Sequence, residues 1–146
     1  MGAVTRSVPV HRPVGDVAKV ALDPDIVLPT MGAFGRFDLI ERNPDGSQEW
    51  DLYLRVGTIH VGGRVLVEPP SESELRWYAV RGTRHHARLV VSSADDGALV
   101  TMTVTAEFAG MATGWLTGVF ANGILGRHME AGLQQLRHRI EYGDDR

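Results

Sequence analysis

The sequence predicts an α+β fold. A curved antiparallel sheet of about seven strands holds a long C-terminal helix, and two short helices follow the first strand. Three observations predict it. Residues 34–108 read as successive alternating strands broken by turn residues, with no helical stretch between them for a parallel crossover. Residues 116–140 carry one apolar stripe at helical spacing. The only other helical texture lies between residues 13 and 29, directly after the first strand.

The elements follow in order. Val4–Val10 alternates weakly, and Pro9 assigns this strand to a sheet edge or a strand end. Pro13 suits the first helical position before Val14–Ala21. Asp23-Pro24-Asp25 is a second start signal, for a short helix stopped by Pro29. Phe34–Glu41 is the next strand, closed by the turn Asn43-Pro44-Asp45-Gly46-Ser47. In Glu49–Val56, Trp50, Leu52, Leu54 and Val56 alternate against Asp51, Tyr53 and Arg55. Val61–Glu68 contains a bend or bulge at Gly62-Gly63 and ends at Pro69-Pro70. Glu74–Arg81 and Arg84–Ser93 flank Gly82-Thr83, and Asp96-Gly97 joins the latter to Ala98–Phe108 as a hairpin. The last helix is expected to begin between Gly110 and Leu116 and to run through Ile140.

Composition narrows the function classes. A chain of 146 residues, 43% hydrophobic and 23% charged, is expected to form one domain over residues 1–146 with a real core. Its net charge of −3 supplies no basic field for nucleic acid or an anionic membrane. The absence of cysteine excludes disulfides, thiolate metal sites and a Cys nucleophile. The N-terminus lacks the apolar core of a signal peptide, so the expected compartment is cytoplasmic. Ala109–Gly126 is uncharged, with Gly110, Gly114 and Gly118 at four-residue spacing, but five glycines and two threonines dilute it below a membrane span. It reads as a helix buried against the sheet, with no stable membrane insertion.

Three segments resemble the START-like superfamily, also called SRPBCC, and within it the polyketide cyclase/dehydrase and lipid-transport families. They are Val8-Pro9-Val10-His11-Arg12-Pro13-Val14-Gly15-Asp16-Val17, the Leu22-Asp23-Pro24-Asp25 step, and the strand–glycine–helix run from Leu99 through Ile140. The likeness covers essentially the whole chain. It departs after the Asp-Pro step, where many relatives place a Trp and this chain has Ile26-Val27-Leu28-Pro29-Thr30. The resemblance implies the helix-grip fold and a deep apolar cavity under the last helix. It carries over no catalytic residue, because the superfamily has no universal one.

Alternation puts Trp50, Leu52, Leu54, Leu75, Trp77, Ala79, Ala87, Leu89, Met102, Val104, Ala106 and Phe108 on the face turned to the helix. The helix stripe is Leu116, Val119, Phe120, Gly123, Ile124, Met129, Leu133, Leu136 and Ile140. From these, the expected ligand-binding set is Leu54, Trp77, Leu89, Met102, Val104, Leu116, Phe120 and Ile124. His85 shares the parity of Ala87 and Leu89 and is the candidate for catalysis, against the plainer reading of a core or rim histidine. His86 points the other way, so the pair cannot chelate one metal in a regular strand, and neither metal nor cofactor is assigned. Tyr53 and Tyr78 take outward parity, unless a bulge flips the register and lets either donate a hydrogen bond inside. No Gly-x-Ser-x-Gly elbow, phosphate loop or Gly-x-Gly-x-x-Gly signature occurs.

The primary functional expectation is non-covalent binding of an apolar small molecule, a lipid, polyketide or isoprenoid, by a monomer or weak homodimer. Apolar burial would supply roughly 25 cal/mol per Å2. The alternatives are a polyketide cyclase, aromatase or dehydratase using His85 or a Tyr to move a proton, and an interaction or toxin–antitoxin-type protein with a vestigial cavity.

Overall fold

The structure, a computed structural model, describes residues 2–56, 59–107 and 123–143. In chain order its elements are β1 (Gly2–Val10), α1 (Val14–Ala21), α2 (Pro24–Thr30), β2 (Arg36–Arg42), β3 (Gln48–Val56), β4 (Ile59–Val67), β5 (Glu74–Gly82), β6 (Arg84–Ala94), β7 (Gly97–Glu107) and α3 (Ile124–Tyr142). The seven strands form one antiparallel sheet in the order β1-β7-β6-β5-β4-β3-β2. Every neighbour except β1–β7 is a sequential hairpin, so the meander expected from the turn residues is the meander formed. Pro9 sits on edge strand β1, where its missing N–H breaks no ladder.

The sheet is strongly curved. β2 and β5 stand three strands apart, about 14 Å in a flat sheet. Yet the Phe37 and Trp77 rings meet edge to face with centroids 5.6 Å apart. Phe37 also stacks on Phe34 and meets Trp50 edge-on, so the rings bridge the concave face. The bend has a backbone cause. Gly63 (φ +148°) lies opposite Gly82 (φ +92°), beside a register shift between Arg64 and Val65. A Cβ on Gly62, Gly63 or Gly82 would strike the carbonyl oxygen of Leu52, Arg81 or Gly62 respectively. Only glycines permit three strands to cross so closely.

Helices α1 and α2 close one end of the trough. Asp23 caps α2 by accepting the Asp25 N–H at 3.0 Å, with Pro24 at the first helical position. Pro29 lies in the last turn, and the helix stops one residue later at Thr30, whose hydroxyl donates to the Ile26 carbonyl at 2.6 Å. Pro13 precedes α1 as its cap residue rather than forming its first helical position. Val17, Ala21, Val27 and Leu28 are fully buried.

Helix α3 lies on the concave side against β1, α1 and α2. Met129, Leu133 and Leu136 are buried and Ile140 packs partly buried against the core, as the stripe predicted. The expectation of one uninterrupted helix from residues 110–116 onward is corrected at Gly123. Its left-handed φ of +71° breaks any continuous helix, and α3 starts at Ile124. Residues 116–122 lie outside the described residues, as do Phe108 and Phe120. Among the described residues, no helix is long and apolar enough to cross a membrane.

Polar contacts fix the helix on both flanks. Arg6 of β1 pairs with Glu130 at 3.1 Å, and just past the strand the His11 N–H donates to the buried Glu141 carboxylate at 2.9 Å. Arg137 reaches the same carboxylate, and Arg12 donates to the Glu141 carbonyl. On the other flank, the Ala33 N–H donates to Gln135 at 2.6 Å. Leu136 is fully buried among these ties. Leu136→Ala is expected to cost ~2–5 kcal/mol in urea unfolding. A loss under about 0.5 kcal/mol, typical of surface positions, would mean that the helix face is misassigned.

Candidate functional site

The concave face is built by parity and register. Trp77 pairs with Ala87, Ala87 with Val104, Leu75 with Leu89, and Leu89 with Met102. Directly paired residues share a face, so these side chains form one continuous apolar surface. Leu54, Trp77, Leu89, Met102 and Val104 are all buried on it. Ile124 opens α3 and packs partly buried against the same core. Leu116 and Phe120 lie outside the described residues.

Burial relaxes along the trough. At the end closed by α1 and α2, Leu75, Leu89, Val100 and Met102 are fully buried. Toward the opposite end, Leu54 rises to 9% exposure, while Ala79 and His85 are only partly buried. The apolar lining therefore continues along the trough, with Leu54 and Val104 still part of the packed core. Among the described residues, open hollows of mixed polar and apolar lining lie elsewhere. One of about 430 Å3 on the convex face is lined by Arg76, Tyr78, His86 and Arg88 among others, and one of about 370 Å3 lies at the α2–α3 seam.

Two polar atoms interrupt the apolar face. The Trp77 indole Nε1 and the His85 Nε2 are buried and have no hydrogen-bond partner among the described residues. A buried unsatisfied polar group costs ~1–3 kcal/mol, so each is a feature needing a cause. Trp50 shows the ordinary solution: its Nε1–H donates to Gln48 at 2.8 Å. His85 is oriented from its other side, with Nδ1 3.0 Å from the Thr83 carbonyl oxygen. That oxygen only accepts, so Nδ1 carries the hydrogen and neutral His85 presents an Nε2 lone pair. Tyr53 and Tyr78 are exposed on the convex face, as their parity predicted, and so is His86.

Sequence reasoning placed His85 inward but missed the unpartnered indole N–H of Trp77. It also missed Arg6, which pairs with the inward residue Met102 and runs beneath Gly126 to reach Glu130. A signal was present: Arg6 shares parity with Val8 and Val10.

The family described as polyketide cyclase / dehydrase and lipid transport matches residues 1–141. The chain belongs to this family. Comparison with curated protein sequences gives no match. Among solved structures, TTHA0849 from Thermus thermophilus superposes with a TM-score of 0.80 at 17% identity, covering 99% of this chain and 100% of that one. The Zhui aromatase/cyclase from a Streptomyces species gives 0.69 at 14% identity, covering 96% and 93%. A START superfamily protein from Mycobacterium smegmatis gives 0.69 at 15%, covering 95% and 97%. This family member thus has the START-like, helix-grip fold its residues pointed to.

Burial pushes His85 below the usual imidazole range. The Thr83 hydrogen bond opposes that push, and neighbouring His86 adds to it. The folded chain therefore keeps His85 neutral where the unfolded chain, with an ordinary pKa of about 6.5, takes up a proton. Stability contributed this way is fully present above about pH 6.5 and falls as pH drops through that value. The carboxylates of Asp45, Glu74 and Glu141 are lowered by their hydrogen-bond partners, so their contributions are lost at more acid pH. His85→Phe is expected to flatten the decline in urea midpoint between about pH 7 and 5.5 relative to the parent. Parallel declines in both proteins would show that His85 is not held neutral.

Proposed function

We propose that this chain binds a hydrophobic small molecule of the lipid, polyketide or isoprenoid class without covalent chemistry. The ligand lies between the concave face of the sheet and the C-terminal helix. The observation that carries this reading is the continuous apolar lining of the concave face. Leu54, Val104 and Ala106, still buried at 5–9% exposure, extend the fully buried surface of Leu89 and Met102. Shielding such a surface with an apolar ligand gains roughly 25 cal/mol per Å2, and a few polar groups then suffice to orient the ligand. Membership of a family described in part by lipid transport supports the same reading.

A second reading draws on one observation, the neutral and oriented His85. A cyclase or dehydratase needs a base with a free lone pair, and Nε2 offers one. Such an enzyme also needs a converging acid. Among the described residues, the two tyrosines of the central strands, Tyr53 and Tyr78, face away from it. Binding is therefore the reading the residues support first.

The test uses the uncharged fluorescent probe N-phenyl-1-naphthylamine. The parent protein is expected to bind it with enhanced emission. Ile124→Trp, which adds bulk at the start of α3, is expected to bind about tenfold more weakly while unfolding in urea like the parent. Equal binding by two folded proteins would place the site elsewhere.

A further inference from the structure

The geometry points to a hydroxyl-bearing apolar ligand, its O–H donating to His85 Nε2 and an oxygen accepting from the Trp77 indole N–H. This rests on the binding reading above and adds the polar chemistry by which the ligand is chosen. The two residues share a face on neighbouring strands. Trp77 stands opposite Ala87 across the β5–β6 ladder, and His85 is the next inward residue on β6. Diagonal positions of this kind lie within reach of aromatic side chains. Trp77 is 1% exposed, so its N–H has no recourse to bulk water. Its ring is fixed edge-on against Phe37, which leaves it little freedom to seek another partner.

The two groups are complementary in role. An indole N–H only donates. His85, with Nδ1–H committed to Thr83, offers at Nε2 only a lone pair. A ketone or ether satisfies the indole and leaves the imidazole orphaned. A hydroxyl oxygen does both, because it donates one hydrogen bond and accepts others. A bound water has the same capacity, so a hydroxyl is the organic group that replaces such a water without losing a hydrogen bond. A site built to hydrogen-bond a ligand hydroxyl also rejects analogues lacking it, because its own buried groups are then left unpaired.

Three probes of one shape separate the contributions: 2-naphthol, 2-methoxynaphthalene and 2-ethylnaphthalene, with affinities from calorimetry. In the parent, 2-naphthol is expected to bind more tightly than its methyl ether. His85→Phe, which keeps a ring of similar size, is expected to reduce that naphthol-to-ether ratio by about five- to tenfold, the worth of one hydrogen bond. Trp77→Phe is expected to weaken both oxygen-bearing probes relative to 2-ethylnaphthalene. A third readout needs no variant: the 15N resonance of His85 Nε2 should shift on adding 2-naphthol and stay still with the ether. An unchanged ratio in His85→Phe together with an unmoved Nε2 resonance would overturn the hydroxyl assignment and leave apolar binding standing. Failure of all three probes to bind the parent would overturn both.

Discussion

The curvature of the sheet is the constraint on which the rest of the molecule depends. It arises where β3, β4 and β5 bend together at Gly62, Gly63 and Gly82, positions at which any side chain would collide with a neighbouring carbonyl. Without that bend, Phe37 on β2 could not reach Trp77 on β5, and the inward side chains would form a flat surface rather than a trough. The same crossing sets the chemistry at the open end. The Thr83 N–H donates to the Gly62 carbonyl at 3.2 Å, which places the Thr83 carbonyl to hold His85 Nδ1. Backbone shape and imidazole orientation are thus one arrangement.

A curved sheet leaves an apolar trough that something must cover. α1 and α2 close one end, and α3 is laid across from β1. Apolar burial of Met129, Leu133 and Leu136 holds α3 down, while polar contacts on both flanks fix its direction. Glu141 carries much of this at the C-terminal end. It is buried, yet it accepts from the His11 N–H and from Arg137, so its charge is compensated rather than stranded. Packing is tightest at the closed end, and exposure rises only slightly, to 9% at Leu54, toward the other.

Two tryptophans on the same face differ in how their polar atom is met. Trp50 packs with its N–H satisfied by Gln48 two residues away, a local solution available within one strand. Trp77 is buried just as deeply with no such neighbour. Both fill space equally well, so hydrophobicity alone cannot tell them apart. The difference lies in a hydrogen bond that one residue completes within the chain and the other leaves open.

The sequence by itself determined the elements, their order and their faces. Alternation in Trp50-Leu52-Leu54 and in Met102-Val104-Ala106 allows one inward face, Asp23-Pro24 starts a helix, and the paired glycines mark a bend. These signals are local, and local sterics enforce them. Two boundaries moved: Pro13 caps α1 rather than opening it, and Gly123 turns left-handed, so the last helix starts at Ile124. Tertiary structure alone decided which side chains meet across the trough. Parity cannot announce that Phe37 touches Trp77, that Thr83 fixes the tautomer of His85, or that Arg6 passes inward beneath Gly126 to Glu130. Each depends on how far the sheet curls and where the helix comes to rest. Those are sums over many strands and contacts, so no short stretch of sequence encodes them.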